Sequence, residues 1–92
     1  MDSRDAELRA IDELRPAALE AAQVACGHLK AGDEAFEAVC SYVEQWYRER
    51  GHTVSVRFAA LYSLGHHGPT GVRFTITPRA ELLRTFLLTV KL

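Results

Sequence analysis

Acid is almost missing from the second half of this chain: beyond residue 50 the only carboxylate side chain is Glu81, set against Arg57, Arg73, Arg79, Arg84 and Lys91. The first half is the reverse, eleven acids to six bases, so the total of −1 hides a −5 segment followed by a +4 segment. Cysteine is scarce as well. Cys26 and Cys40 are too few for a disulfide scaffold, and they fall on the apolar stripes of two helical patterns, so they read as free thiols. No run approaches the roughly 18 apolar residues that cross a bilayer, and Met1-Asp2-Ser3-Arg4-Asp5 lacks the basic-then-apolar layout of a secretory signal. A cytoplasmic protein without membrane contact is therefore expected. There is no linker, repeat or low-complexity tract either, and 92 residues leave room for one hydrophobic core. A single domain over 1–92 is expected, helical over about 3–50 and sheet-forming over about 52–92.

What is present begins with helix-forming residues between Asp2 and Lys30, where Leu8, Ile11, Leu14 and Ala18 are spaced for one face. Pro16 predicts a kink near Arg15 or a break with a new helix starting at the proline, because it lacks an amide donor and clashes one turn back. Leu19, Ala22, Cys26 and Leu29 continue the stripe. Gly32 is placed to end that helix after Lys30, and Asp33 to cap the next. From Glu34 to Arg50, Phe36, Val39, Cys40, Val43 and Trp46 follow helical spacing, with acids at the start and Arg48 and Arg50 at the end, as the helix dipole favours. Tyr42 and Tyr47 flank this stripe as candidate interface residues.

After Gly51 the hydrophobic period changes from 3.6 to 2. Val54, Val56, Phe58, Ala60, Tyr62 and Leu64 alternate with polar positions across His52 to Leu64, which predicts a strand with one buried face. Gly65-His66-His67-Gly68-Pro69-Thr70-Gly71 reads as a turn, and Val72, Phe74 and Ile76 resume the alternation. Residues 78–83 suit a loop or one helical turn. The last segment fits a helix or a strand; the β-branched Thr85, Thr89 and Val90 favour the strand. The fold class expected is α+β, with two N-terminal helices packed on one face of a three-stranded antiparallel sheet, an ααβββ two-layer sandwich.

The uncovered face then carries Thr53, Ser55, Arg57, Arg73, Thr75, Thr77, Thr85, Thr89 and Lys91, with Leu61 and Leu87 among them, and no acid. Cations spaced among hydroxyls suit an acidic protein or a phosphate backbone. Histidine titrates near neutrality, so His66 and His67 are also candidates, but an adjacent pair without a third ligand is poor metal geometry. No metal, cofactor or catalytic residue is assigned. The candidate binding residues are Arg57, Leu61, Arg73, Thr75, Leu87, Lys91, His66 and His67.

The helix, helix, Gly51-His52-Thr53-Val54-Ser55-Val56 layout, with Pro69-Thr70-Gly71 leading into another strand, is similar over residues 34–77 to the bacterial histone-like HU proteins. The chain lacks that family's glycine-phenylalanine signature, long basic arm and lysine excess, so DNA binding is not carried over. His66 or His67 with Arg57, Arg73 and Tyr62 would supply the base, phosphate clamp and phenol of a metal-free ribonuclease site; the chain resembles small RelE-type toxin ribonucleases only in pairing helices with an antiparallel sheet. The reading preferred is a non-enzymatic interaction protein, an adaptor or inhibitor of mobile-element or phage type, binding a protein partner through the exposed sheet face or an edge strand and able to self-associate there. A nucleic-acid-binding module on the basic face is the first alternative and the ribonuclease the second.

Overall fold

The computed structural model describes residues 3–65, 67–79 and 85–91, the last without its side chain. Two helices, α1 (Ser3–Cys26) and α2 (Asp33–Glu49), precede three strands, β1 (Val54–Leu61), β2 (Gly71–Pro78) and β3 (Phe86–Lys91). The strands form one antiparallel sheet in the order β1-β2-β3, with Val56 opposite Ile76 and Ile76 opposite Phe86. The helices pack on one side of this sheet in the α+β arrangement anticipated: α2 lies chiefly over β1, and α1 lies against α2 and reaches β3.

Alternation in the strands meets the helical stripes in one core. Val54, Val56, Val72, Phe74, Ile76, Phe86 and Leu88 are buried from below, and Leu8, Ile11, Ala18, Ala22, Phe36, Cys40, Val43, Trp46 and Tyr47 from above. Phe36 stands at the centre, its ring 5.4 Å from Phe58 and 6.4 Å from Phe74, in the tilted and edge-on arrangements that aromatic quadrupoles favour.

Several expectations about element ends need correction. Pro16 does not break α1, which runs on through it. The carbonyl that loses its donor belongs to Asp12, an exposed residue whose carbonyl is open to solvent, and Ile11, Ala18 and Ala22 dock into the same core on both sides of the proline. The helix ends at Cys26, four residues before Lys30, and Leu29 lies beyond it, 40% exposed. Asp33 is the first residue of α2, whose cap is Gly32 with no side-chain hydrogen bond.

The other end of α2 lies at Glu49, one residue short of the Arg50 expected, with Arg50 as its cap. Gly51, at φ 85°, donates to the Arg48 carbonyl while the His52 amide donates to that of Tyr47, a reciprocal pair that satisfies two terminal carbonyls and needs a left-handed residue. Strand β1 is shorter than the alternation implied. It stops at Leu61, whose carbonyl accepts from the Thr70 amide at 2.7 Å, and the positive φ values of Gly65 and Gly68 turn the chain. Tyr62 and Leu64 thus escape the pattern into an exposed loop; Tyr62 is 71% exposed instead of pointing inward. The last segment is a strand, settling the helix-or-strand ambiguity over 86–91, while residues 80–84 lie outside the described residues.

Candidate functional site

Pairing register lays out the open face of the sheet in rows. Ser55 lies opposite Thr77; Arg57, Thr75 and Leu87 form the next row, Ala59, Arg73 and Thr89 the one after, and Leu61, Gly71 and Lys91 the last. Arg57 and Arg73 are diagonal neighbours, a relation that puts residues about 7–8 Å apart. Both are exposed, and no acid occupies any of these positions. Leu87 is 50% exposed at the edge of the arginine row, while Leu61 and Thr75 are half-buried. Among the described side chains the face therefore presents Arg57 and Arg73, a band of hydroxyls, and apolar surface from Leu87 and Ala59 to solvent. The helices pack on the opposite face, and Arg15 of α1 reaches the sheet at the β3 edge, where its Nη1 donates to the Leu87 carbonyl at 3.0 Å.

His67 is exposed in the β1–β2 loop, about which Ser63 and Thr70 hold their hydroxyls 3.1 Å apart. His66 and the side chain of Lys91 lie outside the described residues. Among the described residues no hydrogen bond or ion pair joins Arg57, Tyr62, His67 or Arg73, so these parts of the ribonuclease reading are not drawn together into a constellation. Nor do the described residues contain a group of three or more His, Cys, Asp or Glu side chains able to hold a metal. Among the described residues no helix is long and apolar enough to cross a membrane.

The structure does bring together polar groups that spacing left apart. Glu7 of α1 pairs with Arg79 just past β2 and faces His52 Nδ1 at 3.9 Å, so one carboxylate ties α1 to the end of the β1–β2 pair where β1 begins and β2 finishes. His52 Nδ1 is buried with no hydrogen-bond partner, and its ring stands edge-on to Tyr47. Tyr47 is completely buried, correcting its reading as a flanking interface residue; its hydroxyl donates to the Ile11 carbonyl at 2.8 Å. Burial, opposed by Arg15 and aided by Asp12, pushes this phenol up to about 12. Tyr42 is half-buried beside the core. Trp46 is buried under the Arg50 guanidinium, 3.6 Å from the ring centre. The thiol of Cys40 is raised to about 11 by burial and by Glu44 and Glu37, which makes it a poor nucleophile. Both cysteines are free thiols.

An apolar cavity of about 150 Å³ lies where the helices part, lined by Leu19, Cys26, Phe36, Val39, Phe74 and Val90 among others. A polar cleft of about 410 Å³ runs between α2 and the β1 edge, lined by Glu37, Cys40, Ser41 and Glu44 above and Val56, Arg57 and Phe58 below. No protein-family model matches the chain, and neither the curated proteins nor the solved structures include a significant match.

Proposed function

We propose that the chain is a small non-enzymatic interaction protein, an adaptor or inhibitor acting in the cytoplasm, whose open sheet face receives an acidic protein surface. The observation that carries this reading is the row of Arg57, Thr75 and Leu87 beside Arg73, on a face that holds no acid among the described residues. Exposed Arg57 and Arg73 attract an acidic partner and steer its approach. Leu87 supplies apolar area, and the hydroxyls of Thr75 and Thr89 supply adaptable hydrogen bonds. The reduced cysteines are consistent with the compartment.

A photo-crosslinking residue in place of Thr75 tests this directly. The expected result is a discrete protein adduct from native lysate that disappears when Arg57→Glu and Arg73→Glu are added. A chain that runs as a strict monomer and yields no adduct overturns the reading. Binding to RNA or DNA that weakens steeply with salt and is lost in Arg57→Ala would replace it with the nucleic-acid alternative; the lack of aromatic side chains on the face stands against that outcome.

A further inference from the structure

The geometry points to the β1 edge as a second docking surface of opposite charge, one that takes an extended segment of another protein with Lys or Arg at alternate positions. The inference rests on the reading of the chain as a protein-binding module and names a partner chemistry for its edge.

The argument begins with main-chain direction. In an antiparallel pair each residue's N–H and C=O point the same way, and successive residues alternate. Leu61 turns its carbonyl toward β2, where Thr70 donates to it, and Val56 turns its amide outward, where it donates to Glu44 Oε2 at 2.8 Å. The outward-pointing set is therefore Val54, Val56, Phe58 and Ala60. These four residues offer a strand-long row of main-chain donors and acceptors, the template used in strand addition.

Glu44 reveals what the edge accepts. Its carboxylate occupies the place a neighbouring strand's carbonyl would take on the Val56 amide, so a docking strand displaces it and must give it another partner. Ser41 and Glu37 line the same cleft one and two turns back along α2. Glu37 and Glu44 are separated by about 10 Å along the helix, at 1.5 Å per residue. An added strand advances about 6.7 Å per two residues, so cations at i and i+2, with their long flexible stems, reach both carboxylates. The intervening residue points to the other face, beside Arg57, where an acid or a hydroxyl is favoured.

The same chemistry excludes a second copy of this chain as the occupant. On their helix-facing positions β1, β2 and β3 carry Val54, Val56, Phe58, Val72, Phe74, Ile76, Phe86 and Leu88, and no cation. Pairing β1 with itself about a two-fold axis would set the Glu37 and Glu44 carboxylates of both copies along one seam, where like charges repel.

The test uses the full chain and two synthetic heptapeptides, Thr-Lys-Thr-Lys-Thr-Lys-Thr and its counterpart with Glu in place of Lys. The lysine peptide is expected to shift the amide resonances of Val54, Val56, Phe58 and Ala60 and to slow their hydrogen exchange, with affinity at least tenfold above that of the glutamate peptide. Glu37→Gln with Glu44→Gln should remove most of that preference; Gln at 44 keeps an acceptor for the Val56 amide, so the fold is retained and circular dichroism checks it. Equal binding of the two peptides, shifts confined to the open sheet face, or no shift at millimolar peptide each overturns the proposal. Arg73→Glu with Leu87→Asp separates the two readings, because it should abolish the crosslinked partner of the open face while leaving the lysine peptide bound. If the peptide fails but these variants still lose that partner, the edge proposal falls and the interaction-protein reading stands.

Discussion

The two faces of the sheet are made from the same three strands and behave as different materials. Even-numbered residues such as Val56, Phe74, Ile76 and Phe86 lie under the helices with almost no exposure, and each adds apolar burial to the core. Odd-numbered residues such as Arg57, Arg73 and Leu87 face water and contribute little to folding. A single step along a strand thus crosses from the part that holds the molecule together to the part available for recognition, and substitutions can address either alone. The most severe way to break the even face is Phe74→Ala in the central strand, beneath the Phe36 ring. Removing a buried phenylalanine costs about 3–5 kcal/mol, a large share of the roughly 5–15 kcal/mol a domain holds. Urea denaturation should find the variant's midpoint sharply lowered at 25 °C; a midpoint close to that of the parent chain would show that the core is not where the structure places it.

The helical cover that makes the even face dry has its own pin. Tyr47→Phe deletes the buried hydrogen bond to the Ile11 carbonyl and leaves that acceptor unsatisfied, an expected loss of about 1–2 kcal/mol in the same measurement. Alkaline pH attacks the cover without mutation. The folded chain holds the Cys40 proton to about 11 against an ordinary 9.0, and the Tyr47 proton to about 12 against 10.0, burial being the first cause of both. Above pH 9 the unfolded chain therefore releases protons that the folded chain keeps. Stability from these groups is complete below pH 9 and falls as pH rises, first across the Cys40 window of 9 to 11 and then across the Tyr47 window of 10 to 12. Cys40→Ala should flatten the first part of a denaturation series over this range and Tyr47→Phe the second. A parent chain whose midpoint is unchanged between pH 9 and 11 would contradict the burial of the thiol.

How much of this contrast could be read without coordinates follows from its physics. Alternation is local, so the inward set from Val54 to Ala60 and from Val72 to Ile76, and the outward set with Arg57, Arg73 and Leu87, were legible from parity alone. Helical stripes are local too, and both helices were visible. What depends on contacts distant in sequence was not. Tyr47 stands one residue off the Trp46 stripe, and only the packing of α1, 36 residues away in the chain, decides that it is core. Glu7, His52 and Arg79 share no spacing rule because three separate segments bring them together. The role of Glu44 was hidden for the same reason: as a helix residue it reads as a solvated charge, and its meaning comes from the β1 edge beneath it. Local misjudgements fell at element ends: Pro16 and Lys30 in α1, the cap at Asp33, and Tyr62 and Leu64, where alternation runs on in the sequence although the strand stops at Leu61, just before the turn at Gly65 and Gly68.

The smallest expected effect is also the sharpest test of the division between faces. Arg73→Ala and Leu87→Ala together remove one of the two arginines and the most exposed apolar side chain from the odd face. Leu87 already has half its surface in water, and the Arg15 bond on this strand goes to the Leu87 main-chain carbonyl, which the substitution leaves in place. The pair of changes should therefore move the unfolding free energy by no more than about 0.5 kcal/mol, the scale of ordinary surface substitutions. The crosslink from position 75 should be lost at the same time. A large stability loss would mean that Leu87 or Arg73 supports the core through the sheet, and the two faces could then no longer be treated as independent.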